Sequence, residues 1–141
     1  MLVLDTDHLS LLERPQSAER QRLMKRLEQA ADELVVTTIV TYEEQSRGWL
    51  AYVARARSKT EQMDAYRRLA RHLDAYRSLT VLDFDEHAFA EYERIRKSCR
   101  HIGTLDLKIA AIVLAHEATL LSRNSKDFEL IPGLKVEDWL T

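Results

Sequence analysis

The chain has 141 residues, of which 45% are hydrophobic and 31% charged, and a formal net charge of −2. This length suits one domain, residues 1–141, with a sizeable core, and the near-neutral charge excludes whole-molecule attraction to nucleic acid, so any basic surface must be local. Cys99 is the only cysteine, which excludes an intrachain disulfide and a cysteine-based zinc site. Three glycines, Gly48, Gly103 and Gly133, are too few and too scattered for a P-loop or a dinucleotide fingerprint.

Leu2-Val3-Leu4 is a short apolar run that predicts a small buried strand. No basic-then-apolar leader precedes it, and no apolar run approaches the ~20 residues of a membrane helix, so a cytoplasmic protein with no membrane contact is expected. Asp7 to Leu12 reads as a short helix that Pro15 terminates or follows. Gln16 to Ala31 repeats apolar residues at helical spacing. Leu34 to Thr37 is β-branched and apolar, a second buried strand. Thr41 opens a helix through Val53, and another runs from about Thr60 to Arg77. Thr80 to Phe84 predicts a third strand, and Asp85 caps the helix after it. Thr104 to His116 is a strongly apolar helix, Thr119 to Leu121 a fourth strand, Ser125 to Phe128 a single turn, and Lys135-Val136 a last edge strand. Strands alternating with helices give an α/β fold with a mainly parallel sheet.

Four acidic residues stand beside strand ends or helix starts: Asp5, Glu44, Asp106 and Asp127. In an open parallel sheet the carboxyl ends of the strands share one edge, where ligands bind. Carboxylates gathered there repel one another unless a cation sits among them. Oxygen ligands favour Mg²⁺ or Mn²⁺, and the matching chemistry is metal-assisted phosphodiester hydrolysis. Each residue also has a structural reading. Asp5 and Asp7 can cap the following helix, and for Asp7 that reading is preferred. Thr41-Tyr42-Glu43-Glu44 matches a capping box, which would engage Glu44 with the Thr41 backbone. Glu43 is a neighbour that cannot face the same way. Asp106 can answer the helix dipole, yet it lies between Leu105 and Leu107, where a buried carboxylate needs a partner. Asp127 alone reads as a solvated turn residue, with Ser122 and Asn124 offering neutral hydrogen bonds nearby. Five histidines lack metal spacing, and of these His8 lies near Asp5.

Arg47, Arg55 and Arg57 begin a basic run that extends to Arg77, and Arg94, Arg96, Lys97 and Arg100 form a second cluster. Such runs are usually solvated helix faces. Beside an acidic metal site they would position a nucleic acid through phosphate contacts, Arg47, Arg55 and Arg57 first. Trp49 and Tyr52 read as packing residues that could also stack on an unpaired base.

Taken in order, Leu4-Asp5-Thr6-Asp7, the stretch Val40 to Gly48, Asp106 to Ala111, Ser122 to Phe128 and the tail Ile131 to Trp139 resemble the PIN domain family. They are most similar to the VapC-type toxin ribonucleases of toxin–antitoxin pairs. The resemblance covers the whole chain. It implies a three-layer α/β/α sandwich with a central parallel sheet. It assigns metal ligation to Asp5 and Asp106 with Asp127 beside them, places the family glutamate at Glu44, and gives Thr6 and Asn124 as polar supports. It departs at Asp7, where the family often has Asn. It further implies RNA cleavage leaving a 5′-phosphate, a cognate antitoxin whose C-terminal segment covers the active groove, and a homodimer.

Two other functions compete. Asp5-x-Asp7 after a strand is similar to the haloacid-dehalogenase-type phosphatases, but Leu9 stands where Thr or Val is expected and the later paired-Asp motif is missing. A catalytically silent module that binds RNA or protein is the other alternative, and the presence of all four acidic residues argues against it.

Overall fold

Strands only three or four residues long carry this fold, and the alternation of their side chains decides which helices cover which face. The computed structural model describes residues 1–14 and 16–141, so the helix stop expected at Pro15 lies outside the described residues. The elements run β1 (Leu2–Leu4), α1 (Thr6–Glu13), α2 (Ala18–Gln29), β2 (Val35–Thr38), α3 (Ile39–Arg55), α4 (Lys59–Arg77) and β3 (Thr80–Leu82). They continue with α5 (Glu86–Arg96), α6 (Thr104–Ala115), β4 (Thr119–Leu121), α7 (Ser125–Phe128) and β5 (Lys135–Glu137). The sheet order is β3-β2-β1-β4-β5. Every pair is parallel, with Leu2 opposite both Val35 and Thr119.

Val3, Val36 and Leu120 point to one face, where they pack against Ile95 of α5 and Ile109, Ile112 and Val113 of α6. Leu2, Leu4 and Leu121 point to the other, against Leu9 and Leu11 of α1, Leu23 of α2 and Tyr76 of α4. The result is the expected three-layer α/β/α sandwich. Each fully buried Leu, Ile or Val contributes about 1.5–3 kcal/mol, so this two-sided burial holds even short strands in register. α6 is buried from Ile109 through Val113, which explains its nearly unbroken apolar sequence.

Several boundaries differ from expectation for identifiable reasons. α3 begins at Ile39 rather than Thr41, because Thr38 is its cap: the Thr38 hydroxyl oxygen accepts from the Thr41 N–H at 3.0 Å. The capping box therefore does not form at Thr41–Glu44; it forms at the start of α4, between Ser58 and Glu61. α1 is capped at Asp5, not Asp7, and no side-chain capping bond is made there. β3 ends at Leu82, before Phe84, while Asp85 caps α5 as expected. Among the described residues no helix is long and apolar enough to cross a membrane.

Candidate active site

From β1 the chain moves outward to β2 and β3, then crosses back to β4 on the opposite side of β1. The carboxyl end of the β1–β4 pair is therefore a topological switch point, where two crossovers part and leave a crevice. Asp5 and Ser122 stand on its two lips. The Asp5 backbone N–H donates to the Leu121 carbonyl at 3.0 Å, and the Ser122 hydroxyl donates to Asp5 Oδ2 at 2.8 Å. Ser122 in turn accepts the Asn124 backbone N–H at 3.1 Å. On the other flank the buried Thr37 hydroxyl donates to the Leu4 carbonyl at 2.8 Å, which fixes the end of β1 against β2.

α3 and α6 bring the second and third carboxylates. Because Thr38 rather than Thr41 caps α3, Glu44 is free of the helix start and turns to α1, where Thr6 Oγ1 donates to its Oε1 at 2.6 Å. Asp106 occupies the first turn of α6. The Asn124 amide donates to its Oδ2 at a long 3.4 Å.

The charges meet. Burial pushes Asp5 up from its usual 3.8 to about 6. The Asp106 and Glu44 anions push the same way, while the Ser122 hydroxyl and the Thr6 backbone N–H oppose them. Burial also raises Asp106, helped by Glu44 and Asp127 and opposed by Asn124. Asp106 and Glu44 are thus close enough to act on Asp5, and Glu44 and Asp127, on α7, to act on Asp106. No ion pair among the described residues includes any of the four. Nor do three His, Cys, Asp or Glu side chains among the described residues stand in a ready ligating arrangement. The physical reason is visible in the bonds just given: facing like charges, the carboxylates turn to hydroxyl and amide donors.

The other sequence candidates fall elsewhere. Asp7 is exposed in the first turn of α1, and the anions that act on Asp5 are Asp106 and Glu44. Glu43 pairs with Arg47 one turn along α3, which takes both out of the acidic group. Arg55 ends α3, and Arg57 lies in the loop after it. At 1.5 Å per residue Arg55 is about 16 Å along the axis from Glu44. His8 is fully buried; its Nε2 accepts the Trp139 backbone N–H at 3.0 Å, so it holds the C-terminal tail rather than the site. The bond from Ser122 to Asp5 spans 117 residues, and no local spacing signals it.

The PIN domain model matches residues 2–134. Over 72 residues the chain is 36% identical to Ribonuclease VapC2 of Rickettsia felis. That match covers 48% of this chain, and the chain spans about half, 54%, of the length of that curated relative. It is similar in structure to VapBC2 from Rickettsia felis bound to a DNA fragment from their promoter, with a TM-score of 0.74, 23% identity and 98% of each chain covered. It is also similar to VapBC-5 from Mycobacterium tuberculosis, a member of the VapBC family of toxin-antitoxin systems. There the TM-score is 0.58 and the identity 22%, with 96% of this chain and 94% of that one covered. At these identities the two structures speak for the fold.

Proposed function

This chain belongs to the PIN domain family, and from that premise we propose that it is a metal-dependent endoribonuclease, the toxin of a toxin–antitoxin pair. One observation carries this reading: Asp106 and Glu44 act on Asp5 at the switch-point crevice, Glu44 and Asp127 act on Asp106, and no cationic side chain among the described residues pairs with any of the four. The similarity to Ribonuclease VapC2 supports an RNA substrate, and the similarity to toxin–antitoxin structures supports an antitoxin partner.

The donor set fits a hard divalent cation. It consists of carboxylate oxygens, with hydroxyl and amide groups behind them and neither Cys nor His among the residues that act on Asp5 or Asp106. Asp5, Asp106 and Asp127 would hold it. Bound there, Mg²⁺ or Mn²⁺ supplies charge to the phosphate and eases ionisation of water. Glu44 is fixed by the Thr6 hydroxyl on one oxygen, which leaves the other to orient the incoming water. Ser122 and Asn124 hold Asp5 and Asp106 in their rotamers. Water adds to phosphorus in line with the departing 3′-oxygen, giving a 5′-phosphate and a 3′-hydroxyl. A homodimer and a cytoplasmic site of action complete the proposal.

The test is cleavage of single-stranded RNA with Mg²⁺ or Mn²⁺, with and without EDTA, by wild type and by Asp5→Asn and Asp106→Asn. Cleavage that needs the metal and both aspartates is expected. Folded wild type that leaves RNA intact with either metal would sink the ribonuclease reading.

A further inference from the structure

Thr6, Ser10 and Glu13 lie at i, i+4 and i+7 on α1, so they form one stripe along that helix. Thr6 holds Glu44 at the acidic end. One turn on, Ser10 accepts from Gln45 Nε2 at 3.1 Å, and Gln45 is the residue next to Glu44. The stripe then opens into a cavity of about 330 Å³ between α1, α3 and α4, lined by Ser10, Glu13, Arg14, Trp49, Arg68 and Arg71. It lies about 6–11 Å along α1 from Thr6 at 1.5 Å per residue. The cavity therefore lies along the same stripe of α1 as Thr6, the residue that holds Glu44.

The lining sets one aromatic ring among three guanidinium groups. The Trp49 indole borders the cavity, and the Arg68 guanidinium carbon sits 5.9 Å from its centroid, tethered by a 3.1 Å bond from Nε to Asp64. Tyr52 meets the indole edge-on at 5.8 Å, which sets the ring plane. No ion pair among the described residues engages Arg14 or Arg71. The one acid in the lining, Glu13, has an oxygen buried without a partner, and burial raises its carboxyl to about 7. It therefore carries less than a full negative charge near neutrality and repels an anion correspondingly less. A flat apolar ring beside two uncommitted guanidinium groups suits a base joined to a phosphate. The volume suits one such unit.

We propose that this cavity seats one nucleotide of single-stranded RNA flanking the scissile phosphate, its base on Trp49 and its phosphate on Arg71 and Arg14. The inference rests on the ribonuclease reading, and the two can fail separately. The probe is a short fluorescein-labelled single-stranded oligoribonucleotide, titrated by anisotropy with Ca²⁺ in place of Mg²⁺, alongside cleavage with Mg²⁺. Trp49→Leu is expected to weaken binding about tenfold, as loss of one stacked base does, and Trp49→Phe to recover most of it. Arg71→Ala is expected to weaken binding and to flatten the salt dependence by about one phosphate contact. Asp106→Asn should abolish cleavage and keep binding. If wild type cleaves RNA while Trp49→Leu and Arg71→Ala bind and cleave as wild type does, the cavity is not a nucleotide site and the ribonuclease reading stands. If wild type neither binds nor cleaves the oligoribonucleotide, both fall.

Discussion

Ser122, the first residue after β4, donates its hydroxyl to Asp5, the first residue after β1, at 2.8 Å. The bond crosses the switch-point crevice and holds a carboxylate that burial and two neighbouring anions would otherwise leave poorly oriented. Ser122 is fully buried and also accepts the Asn124 N–H, so one hydroxyl ties Asp5 to the residue whose amide reaches Asp106. Partners that orient a metal-binding carboxylate typically matter by 10–100-fold in activity or metal affinity. Ser122→Ala should therefore lower RNA cleavage by about that factor. Its melting temperature should drop only modestly, since the half-buried Asn124 N–H loses an acceptor at a cost of about 1 kcal/mol. Steady-state cleavage beside a thermal melt checks both.

Asp5 and Asp106 are expected to cost stability in the metal-free protein while serving function. A carboxyl raised in the folded state destabilises the fold once pH passes its unfolded value. For Asp5 the loss begins near 4 and is complete above about 6. Asp5→Asn and Asp106→Asn should therefore melt no lower than wild type at pH 7 in EDTA, and higher if the repulsion is not otherwise relieved. Mg²⁺ or Mn²⁺ at 100 times its Kd should stabilise wild type by about 2.7 kcal/mol, on the order of 8 °C, and leave Asp106→Asn almost unmoved. Equal metal-induced shifts in wild type and Asp106→Asn would count against a cation held at this edge.

Thr6→Val isolates Glu44. The substitution keeps shape and removes the hydroxyl that donates to Glu44 at 2.6 Å. Cleavage should fall about 10- to 100-fold. The metal-induced rise in melting temperature should remain, because Asp5, Asp106 and Asp127 are untouched. A loss of that rise in step with cleavage would instead make Glu44 a direct ligand.

What the sequence revealed, and what it hid, divides along local and distant interactions. Asp5 at a strand end and Asp106 inside an apolar helix were legible because the adjoining Leu2-Val3-Leu4 and Leu105–Val113 runs leave little doubt about burial. Glu44 was ambiguous because Thr41 and Glu44 have capping-box spacing. The contest was decided one turn upstream, where β2 extends to Thr38 and delivers its hydroxyl to the helix start first. Asp7 competed with Asp5 for the cap of α1 on composition alone; the helix starts at Thr6, so the residue after β1 takes the cap position. Ser122 could be seen as a polar group near the site, but its choice of Asp5 depends on β1 and β4 being neighbours, which is a fact of topology. The cavity that brings Ser10, Trp49 and Arg71 together depends on three helices meeting, and no stretch of sequence contains it.

His8 gives the chain a distinct response to acid. Its Nε2 accepts the Trp139 N–H, so that nitrogen must be unprotonated and the ring's proton belongs on Nδ1. Asp138 at 3.9 Å would favour a charged ring, yet burial dominates and lowers the histidine from 6.5 to about 4. A base lowered in the folded state stabilises the fold above its unfolded value and loses that contribution as pH falls, here between about 6.5 and 4. The loss reaches about 3 kcal/mol at most. Protonation would break the bond to Trp139, and with it the tail that packs Trp139 and Leu140 against α1 and sets Arg26 over the Trp139 ring at 4.4 Å. Asp5 and Glu13 act in the opposite sense over nearly the same range, because their raised carboxyls gain stability as pH falls. The net profile of wild type is therefore shallow, and His8→Gln is needed to expose the histidine. Gln can accept from Trp139 without gaining a charge, so the variant should lose less stability than wild type between pH 6.5 and 4. Its melting temperature should cross that of wild type on the acid side. Denaturant melts across this range, fitted for both proteins, measure the difference directly; parallel curves would mean that His8 does not titrate as its burial requires.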